Sequence, residues 1–258
     1  MSDAVKVERV GAIAILRLDD PSTLNALSPA IKEGLAAKVP MLLADAAVST
    51  VVLTGTGKAF CAGGDIRAMT DPEGRKAPAV RTRMRAAHSW ARALLDCDKP
   101  VIAAVNGAAV GGGLALALLA DIIIASREAY FLSGYTRLGA LPDLGLLQTL
   151  PWAIGSLRAK EMIMLNRRYD ALEAMAIGLC NRVVAPEQLI VEALKMAEEI
   201  ASGPTAMLTM SKVMMKRAYE ASVEKFFEQE AIAQAVTFGS DEFSEGVDAF
   251  LGKRKPRF

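Results

Sequence analysis

The sequence predicts an α/β fold made of repeated units in which a strand is followed by a glycine-containing turn and a helix. The pattern occurs twice between residues 50 and 125, and the chain beyond residue 186 has helical periodicity nearly to its end. Hydrophobic residues make up 52% of the 258 positions, which is enough for a sizeable core. We therefore expect a mixed core over residues 1–200 and a helical region over residues 201–258, without a flexible linker.

The first predicted elements are two short strands and a helix. Apolar and polar residues alternate over residues 5–10 and again over residues 12–18, with a glycine between them, which predicts a pair of strands joined by a tight turn. Ser28 and Pro29 have the N-cap and first-turn chemistry of a helix. Pro40 is expected to kink or end that helix.

Two strand, turn and helix cycles follow. The first consists of a buried strand over residues 50–54, a glycine-containing segment and an amphipathic helix over residues 79–95. His88 falls on the apolar side of this predicted helix and is expected to point inward. The second cycle is predicted as a strand over 101–105, a glycine loop over 106–113, a helix over 114–120 and a strand over 121–125. Helices are also predicted near 186–201, 205–219 and 222–237.

Composition and charge exclude several classes of function. Thirty Lys and Arg residues against 29 Asp and Glu residues leave a net charge of +1, so neither nucleic acid nor a membrane surface is an expected partner. The apolar stretch over residues 101–120 is interrupted by Asn106 and several glycines, which argues against a membrane span. The charged first ten residues do not resemble a signal peptide, so we expect a cytoplasmic protein. Three scattered cysteines and one histidine predict neither a disulfide framework nor a metal site.

Two glycine clusters are the first candidates for chemistry. Residues 61–65 follow a predicted strand, and residues 111–113 precede a predicted helix. Glycine allows a ligand to approach the backbone closely, and the first amides of a helix have no intrahelical acceptor. Two such amides that converge on one carbonyl oxygen form an oxyanion hole. The alternative is that these glycines serve only the packing of a helix against a sheet.

Several motifs resemble the enoyl-CoA hydratase/isomerase (crotonase) superfamily. The motifs cover residues 25–27, 57–66, 99–107, 111–121, 138–143, 178–184 and 243–251, in the family's order and through nearly the whole chain. The resemblance implies a spiral of repeated ββα units followed by helices that build a homotrimer or a dimer of trimers. It also implies acyl-CoA thioester substrates, with coenzyme A as part of the substrate and no permanently bound cofactor.

The resemblance also implies roles for individual residues. The positions that match the two amides on the thioester oxygen are Gly64 and Gly112. An aspartate at the position of Asp65 either contacts the ligand or caps the following helix. The residues that match the lining of the coenzyme A path are Asn25, Ala26, Leu27, Ala62, Gly63, Asp65 and Ile66.

The departures from the family pattern bear on the reaction. Hydratases of the family carry two glutamates that activate water, and the matching positions here are Ala115 and Tyr135. Asp143 matches the acid/base of relatives that resemble enoyl-CoA isomerases, although an aspartate after a proline is also typical of a turn or helix cap. One carboxylate is sufficient to move a double bond from the 3- to the 2-position of an enoyl thioester. The leucines at 141, 144, 146 and 147 are expected to exclude water from Asp143.

Three alternatives stay open at this point. The first is an enoyl-CoA hydratase of fatty-acid breakdown. The second is an enzyme similar to aryl-CoA hydrolytic dehalogenases, which would use Asp143 as nucleophile and His88 to activate water. Such enzymes have a tryptophan where Tyr135 stands here; Tyr135 is expected to donate a hydrogen bond to Asp143 or to a substrate atom, or to pack in the pocket wall. The third is a protein that binds acyl-CoA without transforming it.

Overall fold

A computed structural model describes residues 4–219 and 221–258. The strands are β1 (Val5–Val10), β2 (Ile13–Leu18), β3 (Thr50–Gly55), β4 (Ala59–Cys61), β5 (Val101–Val105), β6 (Ala108–Val110), β7 (Ile122–Ser126), β8 (Tyr130–Leu132), β9 (Tyr169–Asp170) and β10 (Arg182–Val184). The helices are α1 (Pro29–Ala44), α2 (Ala77–Asp96), α3 (Gly112–Ala117), α4 (Leu146–Ile154), α5 (Ser156–Leu165), α6 (Ala171–Ala176), α7 (Leu189–Ala201), α8 (Thr205–Arg217), α9 (Val223–Phe238) and α10 (Asp241–Leu251). The predicted α/β class with a helical C-terminal region is confirmed.

The strands form two sheets. The larger sheet has the order β1-β2-β3-β5-β7-β10, in which β1 and β2 are antiparallel and the other neighbours are parallel. The smaller sheet has the order β4-β6-β8-β9, with only β8 and β9 antiparallel. Each early unit contributes a strand to the larger sheet and the next short strand to the smaller one, which produces the repeated ββα arrangement.

Both faces of the larger sheet are buried, because alternate residues of a strand point to opposite faces. One face packs against α7, where Leu189, Ala193 and Ala197 meet alternate residues of β2, β3, β5 and β7. The other face belongs to the main core and packs against α1 and α2. Burial on both sides explains why these strands are nearly continuous apolar runs.

The region around β6 differs from the prediction. Residues 106–113 were expected as a loop, but they contain β6, and α3 begins at Gly112 and ends at Ala117. A Cβ atom on Gly113 would lie only 2.0 Å from the carbonyl oxygen of Cys61. The first turn of α3 therefore packs directly on β4, and only glycine leaves room for this contact. The strand forms because distant segments pair with it, and local sequence does not show such pairing.

The prediction that Pro40 kinks or ends the first helix is partly wrong, because α1 continues to Ala44. A proline inside a helix removes one backbone hydrogen bond. Here Pro40 and the residue four positions earlier are both exposed, so the unpaired carbonyl is open to water. The buried side chains Ile31, Leu35, Val39 and Leu42 hold α1 on the core on both sides of the proline.

The prediction that His88 points inward is wrong. The buried residues of α2 are Ala87, Trp90, Ala91 and Leu94, whereas His88 is exposed. A helix turns by about 100° per residue. The large ring of Trp90 takes the centre of the buried face, and this rotates α2 so that His88 lies outside it.

The C-terminal helices form the last part of the fold. Helices α8, α9 and α10 pack on one another in sequence, and the predicted helices beyond residue 186 are confirmed in type. Within the described ranges, no helix combines the length and the apolar character needed to span a membrane.

Candidate active site

The two glycine clusters come together in the structure. Gly64 forms a parallel β-bridge with Leu27, and the Leu27 amide donates to the Gly63 carbonyl oxygen at 2.7 Å. A Cβ atom on Gly112 would lie 2.7 Å from Cδ1 of Leu27 and 3.9 Å from Cα of Gly63. The loop before the Arg67–Met69 turn and the start of α3 are therefore in direct contact through Leu27.

The amides of both glycines retain their donor capacity. Gly112 is the first residue of α3, where an amide has no intrahelical acceptor. Among the described residues, no backbone carbonyl accepts a hydrogen bond from the amide of Gly64 or Gly112. Gly63 has φ of +90° and its Cβ would meet the Val110 carbonyl at 2.5 Å, so the turn that presents Gly64 requires glycine.

A carboxylate and a phenol form the polar part of the site. The Tyr135 hydroxyl donates a hydrogen bond of 2.6 Å to Oδ1 of Asp143. Tyr135 is only 9% exposed, and Asp143 is half-buried. Helix α4 begins after Gly145 and has no side-chain N-cap hydrogen bond, so the Asp143 carboxylate is not used as its cap. The bond from Tyr135 is one of the roles expected for this tyrosine.

The environment fixes the protonation state of Tyr135. Burial raises the pKa of the Tyr135 phenol far above its usual value, and the charge of Asp143 and the hydrogen bond to it act in the same direction. The phenol therefore stays neutral over the physiological pH range and remains a donor to Asp143.

Packing holds this pair against the start of α3. Cδ1 of Leu144 would lie 3.6 Å from a Cβ atom on Gly112, and the Tyr135 ring would lie 3.8 Å from one on Gly111. Leu144 has φ of +50°, a left-handed conformation that costs a residue with a side chain about 1–2 kcal/mol. This backbone turn lies between Asp143 and the start of α4.

Only part of the expected desolvation of Asp143 is present. Leu144 and Leu146 are buried, but Leu141 is 76% exposed and Leu147 is 48% exposed. The two exposed leucines lie on the outer side of the loop and of α4, because the chain turns at Leu144. Of the four leucines, only Leu144 and Leu146 are therefore buried, and the buried residue in direct contact with the Asp143 carboxylate is Tyr135.

The residues expected along the coenzyme A path fall into two groups. Asn25 is fully buried, accepts from the Asp20 amide at 2.8 Å and donates to the carbonyl oxygens of Thr56 and Ala59 at 2.9 and 2.8 Å. Its polar atoms are thus bound by the protein, and they join its own loop to the turn between β3 and β4. Ala26 and Leu27 are buried beside it.

The second group is accessible. Ala62 and Gly64 are half-buried, and Ile66 is 49% exposed. Asp65 accepts hydrogen bonds from the amides of Arg67 and Ala68 at 3.0 and 3.4 Å, so it caps the short turn that follows, one of the two roles expected for it.

The whole chain resembles proteins of one family. The model of the enoyl-CoA hydratase/isomerase family matches residues 8–258. The chain belongs to this family. It is 37% identical to the "Probable enoyl-CoA hydratase, mitochondrial" of Dictyostelium discoideum, over 96% of this chain and 88% of that protein. It is 34% identical to the 1,2-epoxyphenylacetyl-CoA isomerase of Escherichia coli, over 95% and 94% of the two chains.

Solved structures agree with the same assignment. The crystal structure of an enoyl-CoA hydratase/isomerase from Cupriavidus metallidurans superposes with a TM-score of 0.93 at 31% identity, over 98% of this chain and 95% of that chain. The crotonase fold expected from the motifs is therefore confirmed. The protein is an enzyme of the enoyl-CoA hydratase/isomerase family, whose substrates are acyl-CoA thioesters.

This family member lacks the paired carboxylates at the expected positions. Ala115 is fully buried in α3, and Tyr135 is bound to Asp143. Residues 115 and 135 thus supply a methyl group and a neutral phenol. Asp143 is linked to the second glycine cluster through Tyr135, whose ring lies beside Gly111.

One residue near the site was not identified from the sequence. Lys32, in α1, is half-buried and interacts electrostatically with Asp143, Asp65 and Arg83. Burial lowers the pKa of the Lys32 ammonium and the charge of Arg83 lowers it further, while both carboxylates act in the opposite direction. The feature of the sequence that could have identified Lys32 is its place directly after Ile31, on the buried side of a predicted helix.

Proposed function

We propose that this enzyme moves a carbon–carbon double bond in an acyl-CoA thioester, from the 3- to the 2-position, with Asp143 as the acid and base. The observation that carries the proposal is the Asp143 carboxylate, which accepts a hydrogen bond of 2.6 Å from Tyr135, a residue whose ring packs beside Gly111. Tyr135 fixes one oxygen of this carboxylate, and the amides of Gly64 and Gly112, which donate to no described backbone carbonyl, are suited to bind an oxyanion.

In the proposed reaction the amides of Gly64 and Gly112 bind the thioester oxygen. Asp143 removes a proton from C2, the electron pair moves to the thioester oxygen and a dienolate forms. The amides stabilise its negative charge without reorganisation, and losing one such donor typically costs about a hundredfold to a thousandfold in rate. The protonated Asp143 then returns the proton to C4, so that the product is the conjugated 2-enoyl thioester and the enzyme regains its initial state.

Tyr135 is a positioning residue in this scheme. Its bond occupies Oδ1 of Asp143 and leaves Oδ2 to exchange the proton with the substrate. Because the phenol stays neutral, it donates to the carboxylate throughout and does not compete for the substrate proton.

The structure favours isomerisation over the two other reactions. Addition of water by the family's paired-glutamate mechanism needs carboxylates at residues 115 and 135, where Ala115 and Tyr135 stand. Hydrolytic dehalogenation needs a histidine near Asp143, but His88 is exposed on α2. Neither alternative is favoured by a specific contact.

The proposed assembly is a homotrimer or a dimer of trimers built by residues 201–258. Several large apolar side chains on α8, α9 and α10 are exposed in the single chain. They include Met215, Val223, Phe227, Ile232, Val236, Phe238, Phe250 and Leu251, all at least 57% exposed. Such a density of exposed apolar residues is typical of a surface that associates with another copy.

The direct test is conversion of 3-hexenoyl-CoA, followed by the absorbance of the conjugated thioester. We expect activity in the wild type and a loss of at least about a thousandfold in Asp143→Asn, because the amide cannot accept the C2 proton. Asp248→Asn, on the exposed side of α10, makes the same chemical change away from the site and should keep full activity.

A substrate panel separates the alternatives. Wild-type protein that hydrates 2-hexenoyl-CoA or releases halide from a halobenzoyl-CoA, without isomerising 3-hexenoyl-CoA, would contradict the proposal. His88→Gln should matter only for halide release. Protein that binds these thioesters and transforms none of them would be an acyl-CoA-binding protein instead.

A further inference from the structure

The segment that carries Tyr135 is bonded to the end of α5 on both sides of the tyrosine. Before the tyrosine, the Gly134 amide donates a hydrogen bond of 2.7 Å to Oδ1 of Asn166. After it, the Thr136 hydroxyl donates a hydrogen bond of 2.5 Å to the carbonyl oxygen of Ile163. These two acceptors lie directly after α5 and in its last turn. The backbone on either side of Tyr135 is therefore tied to α5.

The same segment also packs on the second glycine cluster, residues 111–113. A Cβ atom on Gly134 would lie 3.1 Å from Cγ1 of Val110 and 3.6 Å from the amide nitrogen of Gly111. Gly134 has φ of +75°, so its turn requires glycine. The bond from Asn166 thus fixes the turn that leads into Tyr135, and this turn contacts the residues just before α3.

Two features of Asn166 are unfavourable for stability. Its φ of +50° is left-handed, which strains a residue with a side chain, although asparagine tolerates it better than most. Its Nδ2 atom is buried and has no hydrogen-bond acceptor in the described part of the chain. Glycine would have neither disadvantage. What asparagine adds at this position is the Oδ1 acceptor for the Gly134 amide.

We propose that Asn166 is a positioning residue, which fixes the backbone before Tyr135 so that the Tyr135 hydroxyl stays within hydrogen-bonding distance of Asp143. Locally unfavourable conformations that persist in a folded protein cluster at functional sites. The inference rests on the proposed function for its effect on rate, because Tyr135 acts there through Asp143. Its effect on the bond between Tyr135 and Asp143 does not depend on which reaction Asp143 performs.

The distance from the backbone to the hydroxyl explains why one bond at residue 134 matters. The Tyr135 hydroxyl lies at the far end of a rigid ring, so a small rotation at its Cα moves the oxygen by a larger distance. Hydrogen bonds weaken steeply away from their preferred length and angle. The 2.6 Å bond to Asp143 is therefore sensitive to the turn at Gly134.

The first experiment measures 3-hexenoyl-CoA isomerisation and urea unfolding of Asn166→Gly. We expect kcat to fall about threefold to thirtyfold, less than the roughly hundredfold that a full 1 Å displacement near a reacting group can cause. KM should stay nearly constant, and the urea midpoint should stay constant or rise, because the left-handed strain and the unpaired Nδ2 are removed. Asn166→Asp retains the acceptor and should keep most of the wild-type kcat.

Two comparisons separate positioning from a structural role. In the Tyr135→Phe background, Asn166→Gly should change kcat by less than about twofold, because the hydroxyl through which it acts is gone. Asn181→Gly is the matched control. Oδ1 of Asn181 accepts a hydrogen bond of 2.8 Å from the Ile123 amide in β7, so this variant loses the same kind of bond elsewhere. It should lower the urea midpoint and leave kcat unchanged.

A second experiment needs no substrate. Tyrosines labelled with ¹³C at Cζ are observed by NMR, and the Tyr135 signal is identified by its loss in Tyr135→Phe. Asn166→Gly should shift this signal toward its position in Asp143→Ala, where the hydroxyl has lost its acceptor. Thr136→Val removes the other bond to α5 and should shift the signal in the same direction, which provides a test if Asn166→Gly does not fold.

The outcomes separate this inference from the proposed reaction. An unshifted Tyr135 signal in the variants would overturn the inference, as would an equal fall in kcat with and without the Tyr135 hydroxyl. A loss in Asn166→Asp as large as that in Asn166→Gly would also overturn it. A shifted signal in a protein that does not isomerise 3-hexenoyl-CoA would support the role of Asn166 and contradict only the proposed reaction.

Discussion

Removal of one hydroxyl group tests the central contact of the site. In Tyr135→Phe the 2.6 Å hydrogen bond to Asp143 is lost while the ring that packs beside Gly111 is kept. A hydrogen bond to a charged group contributes about 1.5–3 kcal/mol. Each 1.4 kcal/mol or so of barrier corresponds to about a tenfold change in rate, so we expect kcat to fall about tenfold to a hundredfold. KM should change little, because the hydroxyl already has a partner and does not bind the substrate.

The assay is a double-mutant cycle on 3-hexenoyl-CoA isomerisation. Tyr135→Phe, Asp143→Asn and the double variant are compared by kcat, and hexanoyl-CoA binding is measured for each. If Tyr135 acts through Asp143, its loss changes the residual rate of Asp143→Asn by less than about twofold. Tyr219→Phe removes a hydroxyl from a tyrosine that is 64% exposed and should leave all rates unchanged.

An equal loss in both backgrounds would refute this reasoning. It would mean that the hydroxyl acts on the substrate or on the fold independently of Asp143. A rise in KM with unchanged kcat would likewise assign Tyr135 to substrate binding.

Two further predictions concern packing and thiol chemistry. Gly113→Ala places a methyl group 2.0 Å from the Cys61 carbonyl oxygen, and we expect a loss of about 1–3 kcal/mol or more in the free energy of unfolding by urea. Gly11→Ala is the control: nothing lies within 4 Å of its added methyl group, so only left-handed strain of about 1–2 kcal/mol is expected. Equal losses in the free energy of unfolding of the two variants would contradict the packing argument. Burial raises the pKa of the Cys61 thiol to about 12 and that of Cys180 to about 11, so neither should react with a disulfide reagent at pH 8 until guanidinium unfolds the protein. The folded-state pKa values of both thiols exceed the ordinary thiol value of about 8.5. The stability that the two buried thiols contribute is therefore present below about pH 8.5 and is lost as the pH rises toward 11–12. A urea midpoint that stays constant from about pH 8.5 to 12, or fast labelling of both thiols in the native protein, would contradict this.

Local patterns were sufficient for most elements of the fold. The hairpin of β1 and β2, the Ser28 N-cap and the amphipathic α2 each follow from a few neighbouring residues. Motif order then identified the family, and the family model matches residues 8–258. The four strands of the smaller sheet, β4, β6, β8 and β9, were missed because each has only two or three residues and pairs with segments remote in sequence.

The sequence predicted most residues of the candidate site but not all of their contacts. Asp143 and the two glycine clusters were identified from motifs, and Tyr135 was expected near Asp143. Asn25 was expected to line the coenzyme A path, but buried hydrogen bonds with Asp20, Thr56 and Ala59 use its polar atoms. Periodicity alone did not fix which side of α2 is buried, and so it misplaced His88.

The sequence by itself determined the class of fold and the family, and it identified Asp143 as the candidate acid and base. These depend on residue types at short spacings, which the chain carries whether or not it is folded. Only the tertiary structure decided that the Asp143 carboxylate binds Tyr135 instead of capping α4, that His88 faces outward and that Lys32 is a half-buried charge close to Asp143. Each of these depends on how a helix or loop is rotated against its neighbours, and that rotation follows from packing over the whole molecule.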